Sequence, residues 1–187
     1  MSADLGEALL VAARAAIGER FGIAEPAPAE LPRLREPGAS FVTLTEDGEL
    51  RGCIGSLEAV RPLIEDVRSN AVAAAFRDPR FPPLRREEFD RVRVEVSVLA
   101  PAEPMSFRDE ADALSQLRPG QDGVILACGH ARATFLPQVW ESLPGPRDFL
   151  AHLKRKAGLP ADFWSDGIRL ARYRVTKWKE PAPRGAK

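Results

Sequence analysis

The stretch Leu50-Arg51-Gly52-Cys53-Ile54-Gly55 holds the residues best suited to chemistry. A glycine inside a strand costs conformational entropy and packs nothing, so two of them around a cysteine need a physical reason. Either another backbone or a ligand comes close to the strand, or a bulge re-aims the thiol. In the first case Gly52 and Gly55 leave room for a molecule beside Cys53. Arg51 would then raise the thiolate fraction of Cys53 and hold an anion, which suits a nucleophilic or redox thiol. The ordinary role of a free cysteine is that of a small buried hydrophobe, and composition alone favours it.

A nucleophilic cysteine normally has a base beside it. The two histidines are His130, at the tip of a predicted hairpin, and His152, in a predicted helix, and only the fold can bring either to Cys53. Glu95 shares a predicted strand face with Arg93 and Ser97. On a cleft, Glu95 would serve as general acid or base and Ser97 as a binding group; on a solvated face they are plain surface. Asp78-Pro79-Arg80-Phe81 reads either as a rigid turn presenting Asp78 and Arg80 to a site or as a helix stop. Cys53, Cys128, His130 and His152 amount to a full set of metal ligands. However, Cys128-x-His130 is not a usual zinc spacing and no Cys-x-x-Cys occurs, so no metal site is expected. Phosphate-loop, dinucleotide and serine-hydrolase motifs are absent, so no cofactor is expected either.

The elements that must position these residues follow from periodicity. Leu5, Leu9, Ala12, Ala16 and Ile17 recur at helical spacing, which predicts a helix over 3–21. Residues 24–38 are rich in proline and read as irregular. Phe41 to Thr45 is a strand, Asp47-Gly48 a two-residue hairpin turn, and Leu50 to Ile54 the return strand. A simple two-residue turn pairs Thr45 with Leu50, Leu44 with Arg51 and Val42 with Cys53, which would put Arg51 and Cys53 on the face of Val42 and Leu44. A helix follows from about 61 to 76, with Pro62 in its first turn and Leu63, Ile64, Val67, Ala71, Ala74 and Ala75 as its apolar stripe. Over 91–99 the valines Val92, Val94, Val96 and Val98 alternate with polar residues, the plainest strand in the chain. The second half repeats the layout, with strands at 123–128 and 131–136, a helix at 147–157 and a strand at 168–178. This strand–strand–helix–strand duplication suits a mainly antiparallel, α+β arrangement with helices on one face.

At 187 residues, with 44% apolar content, the chain suits a single globular domain or one with two lobes. No apolar run reaches the roughly 18 residues of a membrane span, so no membrane association is expected. The N-terminal residues do not resemble a secretory signal, and two cysteines make no disulfide framework, so a reduced, cytoplasmic setting is expected. Zero net charge argues against bulk nucleic-acid binding, yet residues 151–187 hold ten Lys or Arg against three Asp or Glu. That asymmetry is either an anion-binding end or a solvated face with a basic tail over 179–187.

The hexapeptide Leu50 to Gly55 resembles the signature of the AMMECR domain family, whose bacterial and archaeal members are called AmmeMemoRadiSam system protein A. Further stretches agree in order. They are Asp78-Pro79-Arg80-Phe81 with Pro83, Glu95-Val96-Ser97-Val98-Leu99, Gly120-x-Asp122-Gly123-Val124, Thr134 to Trp140, and Leu153-Lys154-x-Lys156-Ala157-Gly158. The resemblance spans residues 38–178 without a departure in these blocks. It implies an α+β fold of two unequal lobes in a single AMMECR-type domain over 1–187. It supplies no activity, but the bacterial name implies association with a Memo-like protein and a radical S-adenosylmethionine protein in a modification pathway. Three readings follow. The first is a binding or accessory subunit for those partners, in which Cys53 is merely small. The second is an enzyme that uses Cys53 as nucleophile or redox thiol, Glu95 for protons and Arg51 for an anionic substrate. The third, disfavoured by the net charge, is nucleic-acid binding through the basic C-terminal part.

Overall fold

Two consecutive left-handed residues, Asp47 at φ 52° and Gly48 at φ 84°, make the tight turn on which the first sheet is built. A turn with both central residues left-handed matches strand twist and joins adjacent antiparallel strands. The computed structural model describes residues 2–182, and side chains from Leu5 onward. The chain divides into two compact units, one running to Leu99 and resuming at Thr176, the other Ala100–Val175.

The first unit starts with α1 (Ser2–Glu19) and a single helical turn, α2 (Pro32–Arg35), inside the proline-rich segment. Next come β1 (Ala39–Glu46), β2 (Glu49–Gly55), α3 (Leu63–Phe76) and β3 (Arg93–Leu99). In the second unit β4 (Glu103–Pro104) and α4 (Glu110–Gln116) precede β5 (Gly123–Cys128) and β6 (Ala131–Phe135). α5 (Pro146–Lys156), β7 (Arg169–Tyr173) and β8 (Val175–Lys179) complete the order.

The strands form two four-stranded sheets, β2-β1-β3-β8 and β4-β7-β5-β6. Reversing the second gives β6-β5-β7-β4, so the two share one plan. In each, a central strand pairs antiparallel with its hairpin partner on one side and with the strand that follows the helix on the other. The expected duplication of architecture is therefore present, as two sheets rather than one. The second hairpin turns at Gly129, φ 59°, the glycine-first pattern of a II′ turn.

Each unit has its own core. In the first, Leu9, Ala13 and Ile17 of α1 and Leu63, Val67, Ala71 and Ala74 of α3 meet Val42, Leu44, Val94 and Val96. Each fully buried Val or Leu adds about 1.5–3 kcal/mol of transfer free energy. Glu180 anchors the chain after β8: it accepts from Arg14 Nε at 2.9 Å and from the Val94 amide at 2.8 Å. The expected basic tail thus begins in a strand, and its last five residues, 183–187, lie outside the described residues. In the second unit Val124, Leu126 and Leu170 pack on Phe149, Leu150 and Leu153, with Trp140 stacked on Phe149 at 3.7 Å.

Three expectations need correction. The strand expected over 168–178 is two strands in different sheets, broken at Arg174. Pro62 is not in the first helical turn but precedes it in extended conformation, ψ 138°, consistent with its missing amide. The first hairpin keeps Thr45 opposite Leu50 and then slips: Leu44 faces Gly52, Thr43 faces Cys53 and Val42 faces Ile54. Arg51 is the extra residue of a bulge, so the expected pairings of Leu44 with Arg51 and Val42 with Cys53 do not form.

Candidate functional site

The bulge at Arg51 sets the direction of every side chain that follows it. With Thr43 opposite, Cys53 points to the face away from the helices, and its sulfur lies 3.2 Å from Thr43 Oγ1. Thr43 is also the partner of Glu95 on β3. Cys53, Thr43 and Glu95 therefore form one row across the sheet, and Lys177 of β8 extends it, with Nζ 4.0 Å from Glu95 Oε1. The adjacent row is Gly55, Phe41 and Ser97. Two widely separated sequence candidates, Cys53 and Glu95, thus share a face, and Ser97 shares it with them, though only 7% exposed.

Arg51 is not part of this row. It is buried and gives Nε to Glu88 Oε1 at 2.9 Å, Nη2 to Glu88 Oε2 at 3.2 Å and Nη1 to the Pro82 carbonyl at 3.0 Å. The Arg51 guanidinium holds the Glu88 carboxyl down at about 2, against an opposing push from burial. With both ends occupied internally, Arg51 is a structural cation tying β2 to the 3-10 turn at Arg86–Glu88.

The two glycines also meet the protein itself. A Cβ at Gly52 would fall 2.1 Å from the Ala74 carbonyl oxygen of α3, and one at Gly55 would fall 2.2 Å from the Phe41 ring. Close approach of another backbone is thus the reason for Gly52, and an aromatic neighbour the reason for Gly55. On the helix side the space at Gly52 is taken by α3, and on the face of Cys53 the space at Gly55 is taken by Phe41.

Asp78 and Arg80 hold the backbone of Cys53. β2 is an edge strand, and the amide and carbonyl of Cys53 point outward. The amide donates to Asp78 Oδ2 at 2.9 Å and the carbonyl accepts from Arg80 Nη2 at 3.2 Å. The Asp78 and Arg80 side chains thus take the place of a neighbouring strand. They are also bonded to each other, Arg80 Nε to Oδ1 at 3.0 Å and Nη2 to Oδ2 at 2.7 Å. Those bonds, helped by the backbone amides of Cys53 and Arg80, hold the Asp78 carboxyl well below the usual carboxylate range, although it is only 4% exposed. The Asp78–Arg80 turn accordingly faces the hexapeptide backbone rather than an open cavity.

Sequence reasoning missed a second polar cluster beside the end of β2. Asp66, fully buried, accepts from Ser40 N at 2.9 Å, Ser40 Oγ at 2.6 Å and Asn70 Nδ2 at 2.9 Å on one oxygen, and from Ser56 Oγ and Arg61 Nε, both at 2.8 Å, on the other. The available signal was Asp66 and Asn70, four apart and adjacent to the apolar stripe of α3.

His130 lies at the exposed tip of its hairpin and His152 on the exposed side of α5, with Nδ1 3.0 Å from the Asp148 carbonyl. Cys128 is half-buried, 3.8 Å from Ser165 Oγ. No three His, Cys, Asp or Glu side chains converge as a metal would require among the described residues. No helix among them is long and apolar enough to cross a membrane.

Among the described residues three large apolar side chains are exposed, Leu50 at 41%, Leu57 at 48% and Val60 at 78%. All lie in the hexapeptide strand or the loop that leaves it.

The profile of the AMMECR1 family matches residues 10–178. A protein of Methanothermobacter thermautotrophicus is 41% identical over 189 residues, covering 96% of each chain. Protein MJ0810 of Methanocaldococcus jannaschii is 42% identical over 145 residues, covering 74% of this chain and 70% of its own. Among solved structures, that of the uncharacterised protein PH0010 from Pyrococcus horikoshii superposes with a TM-score of 0.81 at 36% identity, covering 96% of this chain and 93% of the other.

Proposed function

The chain belongs to the AMMECR1 family, and from that premise we propose that it is a binding or accessory subunit acting with a Memo-like protein and a radical S-adenosylmethionine protein in a cytoplasmic modification pathway. The observation that carries this reading is the division of labour around β2. Gly52, Gly55, Arg51, Asp78 and Arg80 are all committed to internal contacts, whereas Leu57 and Val60, immediately after the hexapeptide, are left facing water. Apolar side chains in an otherwise polar loop are what a protein partner buries. The row of Cys53, Thr43, Glu95 and Lys177 supplies hydrogen-bonding groups from a rigid sheet.

The alternative is an enzyme with Cys53 as nucleophile or redox thiol and Glu95 as proton carrier. What favours it is the single row the two share; against it, the only polar side chain bonded to the thiol among the described residues is a threonine hydroxyl, which is no base.

Co-purification with the two partners from the same organism separates these readings. The accessory reading expects Cys53→Ala to retain both partners, and Leu57→Asp combined with Val60→Asp to lose at least one without lowering the Tm. Loss of partners with Cys53→Ala, together with rapid labelling of Cys53 by a thiol reagent, would refute it in favour of the enzyme.

A further inference from the structure

The arginines of this chain that approach its interior mostly have a carboxylate: Arg14 has Glu180, Arg51 has Glu88, Arg61 has Asp66 and Arg80 has Asp78. One group does not. Arg118, after α4, and Arg172 and Arg174, on and just beyond β7, line one cleft of about 330 Å3 in the second unit. None of the three forms a salt bridge with a described residue. Arg172 gives Nη1 to the Gln116 carbonyl at 3.3 Å and Arg174 gives Nη1 to Gln121 Oε1 at 2.8 Å, both neutral acceptors. Arg118 bonds through its backbone: its amide donates to Asp122 Oδ2 at 2.9 Å and its carbonyl accepts from the Gln121 and Asp122 amides, both at 3.1 Å.

Two carboxylates share the cleft. Asp122 is 1% exposed and spends an oxygen on that amide, and Glu103 lies opposite Arg172 in the strand register without pairing to it. Three arginines lining one concave surface with no salt bridge to a described residue suit the multiple oxygens of a phosphoryl group, to which arginine bonds in bidentate fashion. The volume is at the lower end for small-molecule sites, about 300–1,000 Å3, and exceeds what a bare phosphate fills.

We propose that this cleft is a binding site for a small phosphorylated molecule, held through its phosphoryl oxygens by Arg118, Arg172 and Arg174. The site accounts for part of the basic excess of the C-terminal region. It does not depend on the partner-binding role of the loop after β2.

Calorimetric titration of the full chain with pyrophosphate, and then with ATP, tests this at about 0.02 M and about 0.2 M salt, where screening differs severalfold in length. Saturable binding of pyrophosphate is expected, weaker at the higher salt. Arg118→Ala combined with Arg174→Ala, both exposed and outside the core, is expected to weaken binding about tenfold or more by removing two bidentate donors. Arg68→Ala, at a surface pair remote in sequence, should leave it unchanged. Absence of saturable pyrophosphate binding in wild type, or equal affinity in the folded double variant, overturns the proposal. Binding of a polynucleotide that pyrophosphate does not displace, with no pyrophosphate binding of its own, overturns it too.

Discussion

Arg51 and Cys53 are two residues apart, yet the first is a buried cation closed on Glu88 and the second rests against a threonine hydroxyl. Chemistry inferred from their adjacency in sequence therefore does not follow. Replacing Cys53 by Ala should cost only about 1 kcal/mol, the scale of one modest hydrogen bond and a half-buried sulfur, as read from denaturant unfolding. A loss several times larger would mean the thiol is more deeply integrated than its half-burial indicates. Glu88 carries the acid sensitivity of this region. Its folded pKa, about 2, lies below the ordinary 4.5, so the unfolded chain takes up the proton first as pH falls. The stability it contributes is complete above about pH 4.5 and is lost on the way down to about 2. Asp78, also depressed from its ordinary 3.8, acts with the same sign. Glu88→Gln should therefore unfold at a lower temperature at neutral pH but show a flatter Tm profile below pH 5. A profile as steep as wild type would remove Glu88 as the cause.

At the scale of elements, the edge of β2 is capped by side chains instead of a strand. Bare edges invite pairing with other chains, and a charged pair bonded to the outward groups of Cys53 blocks that at the middle of the strand. Asp78→Ala should accelerate hydrogen exchange at the Cys53 amide by about tenfold or more, since its acceptor is gone while Arg80 can turn to solvent. Exchange unchanged from wild type would show that the amide has another partner. Much of this level was legible in sequence: the Asp47-Gly48 turn, the valine alternation of β3, the stripe of α3 and the proline stop after it. The slip in the first hairpin was legible only as one of two alternatives, the bulge that re-aims Cys53, while the pairing expected from the turn ran through without it. A bulge leaves the composition of both strands untouched, and contacts distant in sequence, among them Gly52 against the Ala74 carbonyl and Arg51 on Glu88, accompany the shifted register. The break at Arg174 was silent, because no glycine or proline marks it and both halves alternate as strands. The two-residue β4 and the seven-residue α4 are too short for periodicity to reveal.

For the whole molecule, the sequence carried the layout and left the site open. The repeated order of strands and helix predicted a duplicated layout in one mainly antiparallel sheet, and the structure carries that duplication as two sheets. It could not say which faces the candidate residues would share. Cys53, Glu95 and Ser97 came together because β1 stands between β2 and β3. Arg51, Gly52, Asp78 and Arg80 proved to serve the packing and the edge. The basic excess toward the C-terminus resolved in part into Arg172 and Arg174, which join Arg118 around one cleft, a clustering that depends on the second sheet. At this scale the expected behaviour is that partners bind through the loop holding Leu57 and Val60 while the hexapeptide strand stays closed on its own core.

That closure is measured most directly by the stability of Gly52→Ala. A methyl group 2.1 Å from a helix carbonyl forces α3 and β2 apart, and overpacking of this kind costs about 1–3 kcal/mol, so a clear fall in the unfolding midpoint is predicted. Stability equal to wild type would show open space between β2 and α3 at Gly52 and contradict this closure.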